Sequence, residues 1–348
     1  MYSPENAWYI ACWSQDLPPT GVIGRTILDQ PLVFYRTEQG ELGALHDRCP
    51  HRFAPLSRGK TVGDNLQCPY HGLEFNSAGA CARNPYGRPL RAVNVRSYPL
   101  QERHRAVWVW MGVAEDADPS LIPDFSYLAD APDTAFSAGE LHIAAGFEIL
   151  IDNIMDLTHT QYLHANSIAG NGMVHKVKPV TRETGEGVEV RWSVTDVALS
   201  PFHAKLHAPL ERADQLSQVS WSPPTAMRLK NVIIPAGKGE EDGYIDLNAH
   251  FMTPETRTST HYFFAASRNY HVDDRALNDF IADMRRKVFA TEDEPMIALV
   301  QARMGDSDFW DLKPLLLGVD EAAVRVRRRL KTMQDEDQKE DRPVSETV

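Results

Sequence analysis

Cys49-Pro50-His51, then residues 52–67, then Cys68-Pro69-Tyr70-His71: this stretch decides how the first third of the chain is read. Each segment supplies one thiol and one imidazole. Two cysteines and two histidines could close around a structural zinc ion, but zinc fingers usually pair cysteine with cysteine and histidine with histidine. One of each per segment suits a [2Fe–2S] cluster in which one iron takes two thiolates and the other two imidazoles. Glycines around the loops suit a tight wrap that brings backbone N–H groups toward the sulfurs. Cys49, His51, Cys68 and His71 are therefore the expected ligands.

Outward from that stretch, residues 1–115 read as a small all-β domain. Leu32-Val33-Phe34-Tyr35-Arg36 and Val107-Trp108-Val109-Trp110-Met111 are rich in β-branched and aromatic residues. Gly59, Gly63, Gly72, Gly79 and Gly87 mark the region between them as loops. Glu115 to Pro132 reads as a proline- and aspartate-containing linker, and a second domain follows over 116–330. In it, Phe147 to Leu163 has apolar residues at mostly helical spacing. Strand-like runs return at Val188–Trp192, Val232–Ile234 and Thr260–Phe264. Asp273 to about Met304 is helical in composition, opened by an acidic pair suited to a helix N-terminus. Residues 331–348 are charged with few large apolar side chains, which predicts a disordered tail.

The 348 residues are more than one small domain needs. A hydrophobic share of 43% and a charged share of 24% suffice for a full globular core. The net charge of −12 argues against a nucleic-acid partner, since a phosphate backbone needs a basic face. Four cysteines are too few for a secreted disulfide framework. Met1-Tyr2-Ser3-Pro4-Glu5-Asn6 lacks the pattern of a signal peptide, and no apolar run approaches the length of a membrane span. These features predict a cytoplasmic setting without membrane association, where thiolates serve more readily as metal ligands than as disulfides.

A cluster needs only the first hundred or so residues, so the remaining two thirds call for a second centre. Asp152-Asn153-Ile154-Met155-Asp156-Leu157-Thr158-His159-Thr160-Gln161-Tyr162-Leu163-His164 supplies candidates. Non-haem Fe(II) oxygenases hold iron on two histidines and one carboxylate, leaving positions open. His159 and His164 would sit about 140° apart on a straight helix, so the helix must end or bend between them to bring both to one metal. With 13 histidines in the chain such a pair arises by chance; behind a cluster motif it gains meaning. The carboxylate is expected from Glu292-Asp293-Glu294, and by spacing any of the three could serve. Otherwise a run of acids is usually a solvated face.

Cys49-Pro50-His51-Arg52 with Cys68-Pro69-Tyr70-His71-Gly72 resembles the Rieske domain of ring-hydroxylating and O-demethylating oxygenases. The resemblance extends through Asn6-Ala7-Trp8-Tyr9, Asn94-Val95-Arg96-Ser97-Tyr98-Pro99, Thr253-Pro254-Glu255-Thr256 and His261-Tyr262-Phe263-Phe264. It points to the oxygenase components of the vanillate O-demethylase and dicamba monooxygenase group. Respiratory Rieske proteins carry an additional cysteine in each loop; Ala54 and Tyr70 stand there here, which favours the oxygenase type.

The resemblance implies an α+β protein, an N-terminal all-β Rieske domain followed by a helix-grip-like antiparallel-sheet catalytic domain with helices. It implies one [2Fe–2S] cluster and one Fe(II) per subunit, with the iron on His159, His164 and Asp293 and with Asn153 close by. It further implies a ring-shaped homotrimer in which Asp156 accepts hydrogen bonds from His71 and His159, bridging the cluster of one chain and the iron of the next. Electrons would come from NAD(P)H through a separate reductase or ferredoxin, since the chain contains no evident Gly-x-Gly-x-x-Gly motif and no second cluster motif. The implied reaction is O2-dependent O-demethylation of a methoxylated, vanillate-like aromatic acid to a phenol and formaldehyde. The alternatives are hydroxylation of an aryl methyl group, N-dealkylation, or electron transfer alone.

For the substrate, His261 matches a family position that contacts a carboxylate. Asn231 is a further candidate, and Arg228 could instead pair a carboxylate bidentately. Met284 stands where the dicamba enzyme carries a pocket tryptophan, so a flat indole and a donor are lost. Residues 168–216 are unlike that group, and such loops usually shape a pocket.

Overall fold

Strand Gln30–Arg36 shows why so many apolar residues run together in the first part of the chain. Leu32 and Phe34 enter one core with Tyr9, Val107 and Val109. Val33 and Tyr35 point the other way, into a second core with Leu45, Leu66 and Phe75. A strand buried on both faces cannot alternate apolar with polar. The structure, a computed structural model, describes residues 2–89, 93–165, 167 and 177–340. It divides into two compact units: one runs to Asp124 and includes Thr253–Thr256 and the chain from Asp337, the other holds Phe125–Met252 and Arg257–Glu336.

The first unit is built from small antiparallel sheets. Trp8–Trp13 pairs with Ala106–Trp110, which pairs with Leu100–Arg103; Val22–Ile27, Gln30–Arg36 and Leu42–His46 form a second sheet. A four-stranded sheet of Lys60–Val62, Asn65–Gln67, Glu74–Phe75 and Cys81–Arg83 carries the second cysteine loop between its middle strands. The expected linker from Glu115 is not extended chain. It holds the turn Pro119–Leu121 and the helix Ser126–Asp130, and the units divide at Asp124 rather than at 115. Trp8 Nε1 donates to Asp118 O at 2.8 Å and Arg103 Nη1 to Pro119 O at 2.8 Å, which holds that segment on the first unit.

The second unit is a seven-stranded antiparallel sheet. Its order is Phe136–Ile143, Ser259–Arg268, Tyr244–Thr256, Ala226–Ile234, Arg212–Ser222, Val188–Ala198 and Val180–Glu183. Helix Phe147–Met155 buries Ile149, Leu150, Ile151, Ile154 and Met155 in a core with Trp192, Val219, Trp221 and Met227. The expected helical stretch from Asp273 is Arg275–Val288, a π turn over Phe289–Asp293, and Glu294–Met304.

The disordered tail is corrected for its first ten residues, because helix Glu321–Glu340 continues through them. Composition counts charges without knowing their partners. Buried Arg327 is paired with Asp152 and Glu148, each at 2.7 Å, Lys331 with Asp335 at 2.6 Å, and Asp337 Oδ2 accepts from Glu5 N at 2.6 Å. Of the segment 168–216, residues 168–176 lie outside the described residues; from Val180 on it forms two strands, the short helix Pro201–Leu206 and the start of a third strand rather than a loop. Among the described residues, no helix is long and apolar enough to cross a membrane.

Candidate functional site

Two loops of the first unit present the sequence-predicted cluster ligands in matching geometry. In the first, Phe53 N donates back to Cys49 O at 2.8 Å and Cys49 N to Ala54 O at 2.9 Å. In the second, Gly72 N donates to Cys68 O at 3.1 Å and Cys68 N to Leu73 O at 2.7 Å. Each loop turns back through a residue of positive φ four places after its cysteine, Phe53 at 60° and Gly72 at 72°. The two thiols are buried side by side, and the two imidazoles meet with ring centroids 4.5 Å apart. Like therefore faces like across the loops, the division a [2Fe–2S] cluster asks for. Burial and the neighbouring Cys68 thiol push the Cys49 thiol up to about 11, against backbone N–H groups of His51 and Arg52 that favour the thiolate.

The second unit gathers His159, His164 and Asp293. Helix Phe147–Met155 stops at Asp156, whose extended backbone (φ −120°, ψ 95°) starts a tight turn over Leu157–His159. A single α turn, Thr160–Leu163, then leaves the helical path at His164 (φ −101°, ψ 19°). This lets the two rings come within 5.2 Å at 71°. Asp293 closes the set from the π turn. Pro295, in the first turn of the next helix, offers no N–H to the preceding turn and crowds the carbonyl four residues back, a stress that a wider turn relieves.

Asp293 Oδ1 stands 3.5 Å from His159 Nε2 and 3.2 Å from His164 Nε2, and the donor atoms of all three residues lie within 4.8 Å of one another. The far side of each ring is occupied by an acceptor: Asp156 O at 2.6 Å for His159 Nδ1, and Glu292 Oε2 at 2.8 Å for His164 Nδ1. Each Nδ1 therefore carries a proton, which in the neutral ring leaves the Nε2 lone pair directed at Asp293. Two bare imidazole nitrogens and a carboxylate oxygen around one point call for a cation, with the outer hydrogen bonds fixing ring orientation. Burial alone would raise Asp293; when the two rings are protonated in place of a bound cation, their hydrogen bonds and charge overcome it and hold the acid at about 2. His164 moves up because the two carboxylates outweigh its burial. Asn153 Nδ2 donates to Asp293 Oδ1 at 3.2 Å, placing it beside the set.

Asp156 differs from expectation in which atom acts. Its main-chain oxygen meets His159, while its carboxylate accepts from Thr158 N and Thr158 Oγ1, both at 2.9 Å, and caps the turn.

A family model of the Rieske [2Fe–2S] domain matches residues 7–99, and the vanillate O-demethylase oxygenase C-terminal domain matches residues 143–336. The chain belongs to the Rieske oxygenase family. It is 36% identical to the dicamba O-demethylase oxygenase component of Stenotrophomonas maltophilia, over 95% of this chain and 97% of that one. It is 35% identical to the chloroacetanilide N-alkylformylase oxygenase component of Rhizorhabdus wittichii, over 94% of each. The crystal structure of dicamba monooxygenase bound to 3,6-dichlorosalicylic acid superimposes with a TM-score of 0.89 at 34% identity, covering 97% of this chain and 99% of that one.

In this Rieske oxygenase the triad opens on a cavity of about 210 Å³. Ile154, Leu157, Leu229, Phe264 and Phe289 give it apolar walls, and Asn231, Asn248, His250, Tyr262 and Arg285 place polar groups in them. Of the four expected substrate residues, Asn231 lines it, with its Oδ1 accepting from Ser217 Oγ at 2.7 Å. The other three are not among the described lining residues. His261 precedes Tyr262 on a strand, and since Tyr262 faces the cavity His261 lies on the opposite face, 3.4 Å from Glu140. Arg228 alternates in the same way with Leu229. Met284 is about 100° round its helix from Arg285, which does line the cavity. The wall draws on none of residues 177–216.

His250 and Arg285 are the residues that sequence reading missed. His250 Nδ1 lies 2.6 Å from Tyr262 Oη, and its Nε2 is sealed from solvent without a partner among the described residues. The buried Tyr262 hydroxyl is held in its protonated form, first by burial. It has no other described acceptor, so it donates to Nδ1 and leaves Nε2–H as a neutral donor in the wall. Burial, aided by the Arg285 charge, lowers His250 to about 4, which keeps the ring neutral. Charge patterning could have drawn notice to Arg285, in the run Arg285-Arg286-Lys287, but no sequence signal says which of the three turns inward.

Proposed function

We propose that this oxygenase component O-demethylates a methoxylated aromatic acid, using O2 and electrons from a separate reductase supplied by NAD(P)H. The observation that carries the reading is the shape of the site: the triad shares a cavity of about 210 Å³ with aromatic and aliphatic walls. That is below the roughly 300–1,000 Å³ of pockets for drug-sized ligands and suits a single substituted ring. Ferrous iron bound by His159, His164 and Asp293 supplies O2 activation, with the cluster on Cys49, His51, Cys68 and His71 as electron source. The protein's own part is placement. Asp156 O and Glu292 hold the two imidazoles, Asn153 steadies Asp293, and the apolar walls exclude water and present the methoxy carbon. Hydroxylation of that carbon with one oxygen atom of O2 gives a hemiacetal, which collapses to a phenol and formaldehyde; two electrons and two protons reduce the other oxygen atom to water.

The cluster side carries a surface suited to a second chain. Phe53 and Tyr70, 62% and 59% exposed, flank the histidines at the loop tips. This supports a homotrimer in which Asp156 of one chain receives His71 of another, its carboxylate retaining lone pairs beyond those used by Thr158. The relatives' names, each an oxygenase component, imply the separate reductase. A second reading, N-dealkylation, is favoured by the 35% identity to an N-alkylformylase component. A panel of methoxy-, methyl- and N-alkyl-aromatics with a surrogate reductase, followed by formaldehyde release and O2 uptake, decides between them. Coupled formaldehyde from a methoxybenzoate is expected; none from any methoxybenzoate overturns the first reading.

A further inference from the structure

We infer that Arg285 selects the substrate by binding its acid group, a carboxylate or sulfonate on an aromatic ring; this rests on the aromatic-acid reading above. Arg285 is the one arginine or lysine among the described cavity-lining residues. Helix Arg275–Val288 brings it there on the same stripe as Ala282, Val288 and Phe289, the spacing of one helical face. Of its five N–H donors, the described structure occupies one: Nη2 donates to Asp246 Oδ1 at 2.9 Å. Asp246 is itself tied back, its Oδ2 accepting from Tyr270 Oη at 2.9 Å. The side chain is 30% exposed, and a guanidinium held by one edge at a cavity wall has unspent donors that an anion in the cavity can take.

The position along the helix also fits. Arg285 and Asp293 are eight residues apart, which at 1.5 Å per residue is about 12 Å of rise. Arg285 and Asp293 line the same cavity from different turns of this helical segment, so a ring held between them can place its acid group away from the reacting carbon. A pocket selecting a neutral aromatic would have no use for a cation in that wall.

The test is calorimetric titration of the protein carrying both metal centres with 4-methoxybenzoate and 4-methoxybenzamide. The wild-type protein is expected to bind the acid at least about ten-fold more tightly than the amide. Arg285→Gln should weaken acid binding by roughly 10–100-fold, the range for a hydrogen bond to a charged group, and leave the amide within about two-fold. Retained amide binding also shows that the variant's pocket is intact. Arg285→Lys, which keeps the charge without the fork, should retain part of the preference. Equal affinities in the wild type, absent acid binding, or an equal loss for both ligands in Arg285→Gln overturns the assignment. An Arg285-dependent acid preference without formaldehyde release would leave the assignment standing and overturn the demethylation reading. Formaldehyde from acid and amide alike, unchanged in Arg285→Gln, would do the reverse.

Discussion

Asp293 and Glu292 are adjacent acids with different work, and the distinction can be measured. Asp293 Oδ1 faces both Nε2 atoms, whereas Glu292 Oε2 reaches the outer nitrogen of His164. Asp293→Ala removes a direct donor, so mononuclear iron should be lost while the cluster's visible spectrum persists and iron falls from three to two per chain. Glu292→Ala removes only the group that orients His164, and iron affinity should fall about 10–100-fold, the usual cost of losing such a partner. Chelator titration with iron analysis separates the two. Equal iron retention in both variants would break the assignment. From sequence the triplet was indivisible, because adjacent residues on a regular helix differ only by angle. The π turn aims Glu292 and Asp293 at opposite nitrogens of one ring.

At the level of elements, the strands were legible because apolar and aromatic runs must bury both faces, as Leu32 to Tyr35 do in two cores. The cluster loops were legible because their chemistry is local in sequence. What could not be read was phase. A strand has period two, so placing His261 rather than Tyr262 in the cavity inverts the face. On a helix, the resemblance points to Met284, and no sequence signal marks its neighbour Arg285, which lines the cavity. The final helix failed for another reason: its charged positions are satisfied by partners far away in sequence. Arg327, 4% exposed, donates to Asp152 through Nε and Nη2 and to Glu148 through Nη1. Burial pushes both carboxylates up, and Arg327 pulls them back. Arg327→Met would leave two acids without a counter-charge. Since both keep a wet edge, the cost should lie at the low end for a broken buried pair, about 3 kcal/mol. Denaturant unfolding of the second unit reads it; a change below about 1 kcal/mol would mean that the acids are solvated after all.

On the scale of the assembly, the two metal centres need not cooperate within one chain. The exposed aromatic residues beside His51 and His71 and the capping carboxylate at Asp156 favour transfer between chains. Co-expression of two inactive variants tests this directly. Asp293→Ala chains keep the cluster and lack the iron, and Cys68→Ser chains keep the iron and lack a working cluster. If each iron draws on its own chain's cluster, every mixture is dead. If it draws on a neighbour in a cyclic trimer, an active site needs a Cys68→Ser chain beside an Asp293→Ala chain in one direction. Random assembly of equal amounts meets that with probability one half times one half. The co-expressed population as a whole should therefore recover roughly a quarter of wild-type turnover per chain, while each variant alone stays inactive. Adding Asp156→Asn to the Cys68→Ser chains should abolish most of the recovery while both metals stay bound, because the iron-bearing chain supplies the bridge. The same change in the Asp293→Ala chains should matter little, since their own iron is already missing. This asymmetry distinguishes a bridge from a general destabilisation, which would lower recovery from either side.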